Sequence, residues 1–319
     1  MRYLLVSLLA LFSFCTFAQQ RVWIDTDIMI GKFRRDVDDG LALMLALQDT
    51  SIRIEGISFV HGVDYAEKVT TRLLTWYAPD RYIPTFKGAD DSTGFGEQTP
   101  AVVAMIAALE QGPMSILALG PMTNVGTVLK LRPDLHRNIT VISYCAGRRP
   151  GMLFNPGSGK VKFSDYNFDL DPRSSEVLLE TEIPVILSGY DCSNELFLGL
   201  DDFKHLKRST APGDRWVYRQ LKSWHSLWRT FIGSKNGFIP FDCATVGVLL
   251  YAQEFNILSD VSSYIEVAPN DTRNTVSSAS KPYLLISETG AGKRVAYCDL
   301  TKADFKERLL KLLRHPDYQ

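Results

Sequence analysis

The sequence predicts an α/β fold, with a doubly wound, mostly parallel sheet and helices on both faces. Short β-branched runs alternate with helical patterns along most of the chain, and several helical patterns open on a capping residue followed by proline. A dense acidic cluster falls where the first strand gives way to a helix, the position at which open α/β sheets bind ligands. In order, strands are expected at Val22 to Ile24, Ile52 to Val60, Met114 to Leu119, Ile139 to Tyr144 and Pro184 to Leu187. Thr99-Pro100 caps a helix from Ala101 to Gln111, Thr123 starts another after the Gly120-Pro121 turn, and Asp171-Pro172 opens a third. Trp216 to Trp228 reads as an aromatic helix, and Phe241-Asp242 opens an apolar one. Runs around Tyr264 to Val267, Tyr283 to Ile286 and Arg294 to Cys298 predict an antiparallel extension or hairpin. Thr301 with Asp304 predicts a capping box for the last helix.

The 319 residues carry 35 Lys and Arg against 36 Asp and Glu, with 45% hydrophobic content. Near-neutral charge and the absence of a basic block exclude a nucleic-acid polymer as the partner. Arg2, the apolar run Tyr3 to Phe17 and the small-residue site ending at Ala18 predict a signal peptide over residues 1–18. The mature chain, 19–319, is then one secreted or periplasmic domain. The run is shorter than the roughly 20 residues a spanning helix needs, so no stable membrane insertion is expected. Phe14 before Cys15 is too bulky for a lipidation site. Cys145, Cys192, Cys243 and Cys298 read as buried thiols, with one disulfide open to an oxidising compartment.

Asp25, Asp27, Asp36, Asp38 and Asp39 crowd one strand-to-helix turn. Carboxylates this close repel one another, so either a cation neutralises them or their pKa values rise. Oxygen donors without His or Cys nearby favour calcium or magnesium over zinc. Ser164-Asp165-Tyr166-Asn167-Phe168-Asp169 forms a second polar cluster before a capped helix, and Asp242 adds one late acid.

Together these elements resemble the inosine-uridine-preferring nucleoside hydrolase family. That family carries D-x-D-P-G-x-D-D near its N-terminus, G-P-L-T-N mid-chain, E-F-N before D-P, and a late acid opening a helix. Here they stand as Asp25-Thr-Asp27 with Asp38-Asp39, Gly120-Pro-Met-Thr-Asn124, Asp165-Tyr-Asn167 before Asp171-Pro172, and Asp242. The resemblance implies a Rossmann-like hydrolase of N-ribosyl bonds that uses Ca2+ and acts on a small nucleoside. It assigns the metal to Asp27, Asp39, Asp242 and the carbonyl of Leu119, with Asp27 also taking the proton of the attacking water. It assigns substrate contacts to Asp38, Asn155, Asp165, Asn167, Phe241 and Asp242. Ile183 to Asp191 resembles a family strand that ends in a structural aspartate. Assembly into homo-oligomers is left open.

Four departures stand out. Met29 to Arg35 lengthens the metal loop, which must bulge outward to keep the carboxylates together, and Asp36 is either an extra acid of the site or a partner of Arg34 or Arg35. Val63 stands where a sugar-binding Asn is usual, with His61 beside it as a candidate substitute, and Asp165 is shorter than the family Glu. Phe241 stands where several members carry a proton-donating His, which suits stacking on a purine and leaves His225 as the alternative acid. Trp224 and Trp228, four apart, suit the core better than substrate stacking. Two rivals are weighed: a haloacid-dehalogenase-like phosphatase, opposed by Met29 two residues after the second Asp, and a nucleoside- or sugar-binding protein that has lost hydrolysis.

Overall fold

A computed structural model describes residues 19–158, 162–271 and 279–313. The expected signal peptide, residues 1–18, lies outside the described residues. Nine strands form one sheet: β1 Gln20–Thr26, β2 Ile52–Phe59, β3 Thr85–Lys87, β4 Met114–Ala118, β5 Ile139–Tyr144, β6 Val185–Leu187, β7 Phe255–Pro269, β8 Ser280–Ser287 and β9 Lys293–Thr301. Their order is β3-β2-β1-β4-β5-β6-β9-β7-β8. Pairing is parallel from β3 through β9, and β7 runs antiparallel to both β9 and β8. The mainly parallel, doubly wound sheet with a late antiparallel extension is therefore present.

The helices are α1 Asp38–Gln48, α2 Val63–Tyr77, α3 Pro100–Glu110, α4 Thr123–Leu131, α5 Tyr166–Leu170, α6 Pro172–Leu179, α7 Tyr190–Ser193, α8 Lys204–Arg208, α9 Pro212–Leu227, α10 Phe241–Leu250 and α11 Ala303–Leu312. None of them is long and apolar enough to cross a membrane. β1 is buried on both faces because helices cover both. Val22 and Ile24 join the core under α1, α2 and α10, while Trp23 joins the core under α3 and α4. Residues Leu41 to Leu47 of α1 are all buried, so the helix lacks a polar face and lies fully inside.

Several local expectations hold, and others yield to tertiary contacts. Thr99 caps α3 by accepting the Val102 amide at 3.3 Å, and Asp171 caps α6 through the Ser174 amide at 3.3 Å. The capping box at Thr301 does not form: Thr301 ends β9, its hydroxyl donates to the Cys192 carbonyl, and Lys302 takes the cap position of α11. Cys192 and Cys298 form the one disulfide that the sequence left open, while Cys145 and Cys243 are free and buried, as read. β3 was not anticipated, since three residues hold no periodicity to read.

Candidate active site

The sheet order reverses between β1 and β4, and the cavity opens there, beyond their carboxyl ends. β1 delivers Asp27, the first turn of α1 supplies Asp38 and Asp39, and the first turn of α10 supplies Asp242. α1 and α10 pack against each other through nearly continuous apolar sequence, which brings their N-termini together. Those ends suit carboxylates, since their free amides and partial positive charge face outward. The Phe241 amide donates to the Asp38 carboxylate.

The carboxylates are buried and close. Asp38, Asp39 and Asp242 are only 7%, 4% and 4% exposed. Carboxylate oxygens of Asp36, Asp38 and Asp39 lie within 4.8 Å of one another. Thr26 donates its hydroxyl to Asp39, and Asp39 and Asp242 share a hydrogen bond. Burial pushes Asp27, Asp38, Asp39 and Asp242 well above the ordinary carboxylate range, and mutual repulsion raises them further. Leu119 lines the same cavity, and its carbonyl accepts the Asn167 amide at 2.6 Å, which leaves a second lone pair free. An all-oxygen donor set whose acids resist ionisation fits a hard divalent cation.

One cavity of about 720 Å³ collects Asp27, Asp38, Asp39, Leu119, Asp165, Asn167, Phe241 and Asp242 from the sequence reading. Asp165 accepts the Gly147 amide at 2.7 Å, and burial raises it to about 6. Asn167 also donates to the Cys145 carbonyl at 3.1 Å, so its side-chain amide ties the ends of β4 and β5 together at the cavity. Phe241 lies 6.3 Å from Tyr190, which stacks on Phe154 at 4.4 Å. Trp224 and Trp228 both line the cavity, but Trp228 is also buried and stacked on Phe163 at 5.8 Å. A π-turn at Trp228–Ile232 follows α9 where the helix leaves the cavity wall.

The inserted loop is pinned rather than loose. Ile28 and Ile30 are fully buried, Tyr65 donates to the Ile30 carbonyl at 3.1 Å, and two turns close Met29 to Lys32 and Lys32 to Arg35. Gly31 has φ +91, and a Cβ there would lie 2.5 Å from Trp216. The exposed part, Lys32 to Arg35, turns Arg34 and Arg35 toward the cavity. No ion pair joins Asp36 to Arg34 or Arg35 among the described residues, so Asp36 belongs to the acidic floor.

The pattern of the inosine-uridine preferring nucleoside hydrolases matches residues 22–304. The chain belongs to that family. A pyrimidine-specific ribonucleoside hydrolase from Citrobacter koseri is 25% identical over 205 residues, covering 55% of this chain and 64% of that protein. The chain thus spans about 64% of the length of the curated relatives it matches. A purine-preferring ribonucleoside hydrolase from Gardnerella vaginalis shares the fold with a TM-score of 0.72 at 16% identity, covering 92% of this chain and 99% of the other. An inosine-uridine preferring nucleoside hydrolase from Bacillus anthracis has a TM-score of 0.68 at 15% identity, covering 92% and 99%.

Against the family pattern, some expected residues are not at the site. Asn155 is exposed and does not line the cavity; its backbone amide, not its side chain, reaches the Tyr190 hydroxyl. Val63, His61 and His225 are also absent from the lining. Val63 packs on the core at the start of α2, and the His61 amide donates to Ala89 at 3.0 Å. Asp191 is buried and accepts the Tyr297 hydroxyl, which supports the structural role expected of it. Sequence reasoning overlooked Asn124, whose side chain donates to Asp25 at 2.9 Å and to the Phe59 carbonyl at 3.0 Å, and accepts the Ala89 amide at 2.9 Å. Its place in Gly120-Pro-Met-Thr-Asn124 was the available signal.

Proposed function

We propose that this protein is a calcium-dependent hydrolase that cleaves the N-glycosidic bond of ribonucleosides, with a lean toward purines. The observation that carries the reading is the convergence of Asp27, Asp38, Asp39 and Asp242, with Leu119, on one cavity where the four carboxylates repel one another. A bound divalent cation supplies the positive charge these carboxylates lack and polarises the oxygens of water and the ribose diol. In this reading Asp27 accepts the proton of the attacking water. Asp38 and Asp242 accept hydrogen bonds from the ribose hydroxyls, while Asp165 and Asn167 flank the sugar. The C1′–N bond breaks with its electron pair leaving on the base, and the water oxygen bonds to C1′. Positive charge grows on the ribosyl ring as the bond breaks, so the carboxylate floor favours the transition state over the neutral substrate.

Phe241 with Tyr190 supports stacking on the departing base, and among the described residues no imidazole lines the cavity to protonate it. A purine suits such a wall, although the similar proteins include both a pyrimidine-specific and a purine-preferring hydrolase. Export to an oxidising compartment is supported by the N-terminal apolar run and the Cys192–Cys298 disulfide. Mass spectrometry of exported protein is expected to find Gln19 first; an intact Met1 argues against export.

The deciding experiment measures ribose release from inosine and uridine by the mature chain, after metal removal and after calcium is restored. Calcium-dependent release, faster from inosine, is expected, and Asp39→Asn should lower metal affinity and turnover by on the order of 100-fold or more. Full turnover in chelator with no bound metal removes the metal from the reading. Nucleoside binding without any ribose release makes the protein a binder rather than an enzyme.

A further inference from the structure

From the lining of the cavity we infer that the substrate carries an oxyanion group, a phosphate or carboxylate, at the end that faces Arg34, Arg35 and Lys162. This rests on the reading of the cavity as an N-ribosyl hydrolase site. Arg34, Arg35 and Lys162 line the same cavity as the carboxylates. Among the described residues, none of the three side chains makes an ion pair or a hydrogen bond. Arg35 acts on Asp36, whose carboxyl it pulls down against a larger effect of burial.

The arginines are also positioned. Arg34 holds a left-handed backbone at φ 59, and its guanidinium lies 5.1 Å from the Phe33 ring and 5.6 Å from that of Phe231. Stacking leaves the edges of the guanidinium, which carry its donors, free for an acceptor. The turns at Met29 to Arg35 and the packing of Gly31 on Trp216 fix the loop that carries both arginines. The cavity is thus bipolar, with an acidic floor that attracts the ribosyl ring and a cationic side for which a neutral nucleoside has no counterpart. A phosphate or carboxylate matches the cationic side through charge-assisted, bidentate hydrogen bonds. The acidic floor repels the same group, so the two ends orient the ligand.

The experiment compares kcat/KM for inosine with inosine 5′-monophosphate, and for uridine with uridine 5′-monophosphate and orotidine, in the calcium-loaded mature protein. The expected result is a preference of about tenfold or more for at least one anionic substrate, shrinking as ionic strength rises. Inhibition by ribose 5-phosphate or by orotate then locates the anion on the sugar or on the base. In the Arg34→Asn, Arg35→Gln double variant, the anionic-to-neutral ratio should fall by about tenfold. Asn at position 34 suits the left-handed backbone, so the loop keeps its shape. Circular dichroism and the calcium affinity of the variant verify this independently of turnover. Hydrolysis of neutral nucleosides with no anionic preference, or a ratio unmoved in the variant, overturns this inference and leaves the hydrolase reading standing. Failure to cleave any of the five substrates overturns the hydrolase reading itself.

Discussion

Asp165 accepts the Gly147 amide from a buried position, and burial lifts its pKa from 3.8 to about 6. The folded protein therefore keeps this proton where the unfolded chain has already released it. The resulting stability is full below about pH 3.8 and is lost as pH rises through about 6. From pH 5 to pH 8 the protein is expected to lose about 1 to 2 kcal/mol relative to Asp165→Asn, which retains an acceptor for Gly147. Urea unfolding of both proteins at the two pH values measures the difference, and parallel pH profiles refute it. Phe241 sets a second expectation. Phe241→Ala should lower kcat/KM for inosine about fivefold to tenfold through lost stacking, whereas His225→Ala, outside the cavity lining, should retain activity. Loss of turnover in His225→Ala with none in Phe241→Ala reverses these roles.

Turns between elements hold the floor together. Asn124, in the first turn of α4, binds the Asp25 carboxylate, the Phe59 carbonyl and the Ala89 amide, so it ties the ends of β1 and β2 to the segment after β3. Asn124→Ala leaves those buried groups without partners and should cost about 2 to 5 kcal/mol in denaturant unfolding; a loss below about 1 kcal/mol shows that water replaces the amide. Gly120 closes β4 against β1. A Cβ there would lie 2.9 Å from both the Asp27 amide and its carboxylate, and 2.8 Å from Val60. Gly120→Ala should therefore displace Asp27 and lower kcat by about tenfold or more while the fold persists. Unchanged kcat would mean that the turn relaxes without moving Asp27.

At the scale of the molecule, the Cys192–Cys298 bridge ties α7 to β9 across 106 residues of sequence. α7 begins at Tyr190, which lines the cavity, and β9 carries the antiparallel extension. Closing so long a loop restricts the unfolded chain, so replacing both cysteines with alanine should cost about 2 to 4 kcal/mol. Calorimetry with and without reductant tests this, and coincident melting of the oxidised, reduced and doubly substituted proteins contradicts it. The two cores on opposite faces of the sheet share β1 and β4, so the strand that leads into Asp27 and the one that leads into Leu119 are enclosed by packing on both sides. A rigid strand end suits a site whose carboxylates must be held against their own repulsion.

The sequence by itself determined what depends on residue type and local period. The alternating strands and helices, the caps at Thr99 and Asp171, the order of the acidic motifs and the family could all be read from it. Eight of the expected site residues meet in one cavity because each sits at the end of a strand or the start of a helix, and a doubly wound sheet gathers those ends at one edge. Only the tertiary structure decided the rest. Thr301 left its capping role because Cys192 lies across from it, and the same proximity selected the disulfide partners. Asn155 and His225 fell outside the cavity, while Arg34 and Arg35 turned into it. These outcomes turn on contacts between residues distant in sequence, or on the direction a loop takes when apolar neighbours such as Ile30 and Trp216 anchor it. Such contacts form only when helices pack on the sheet, and no local pattern encodes them.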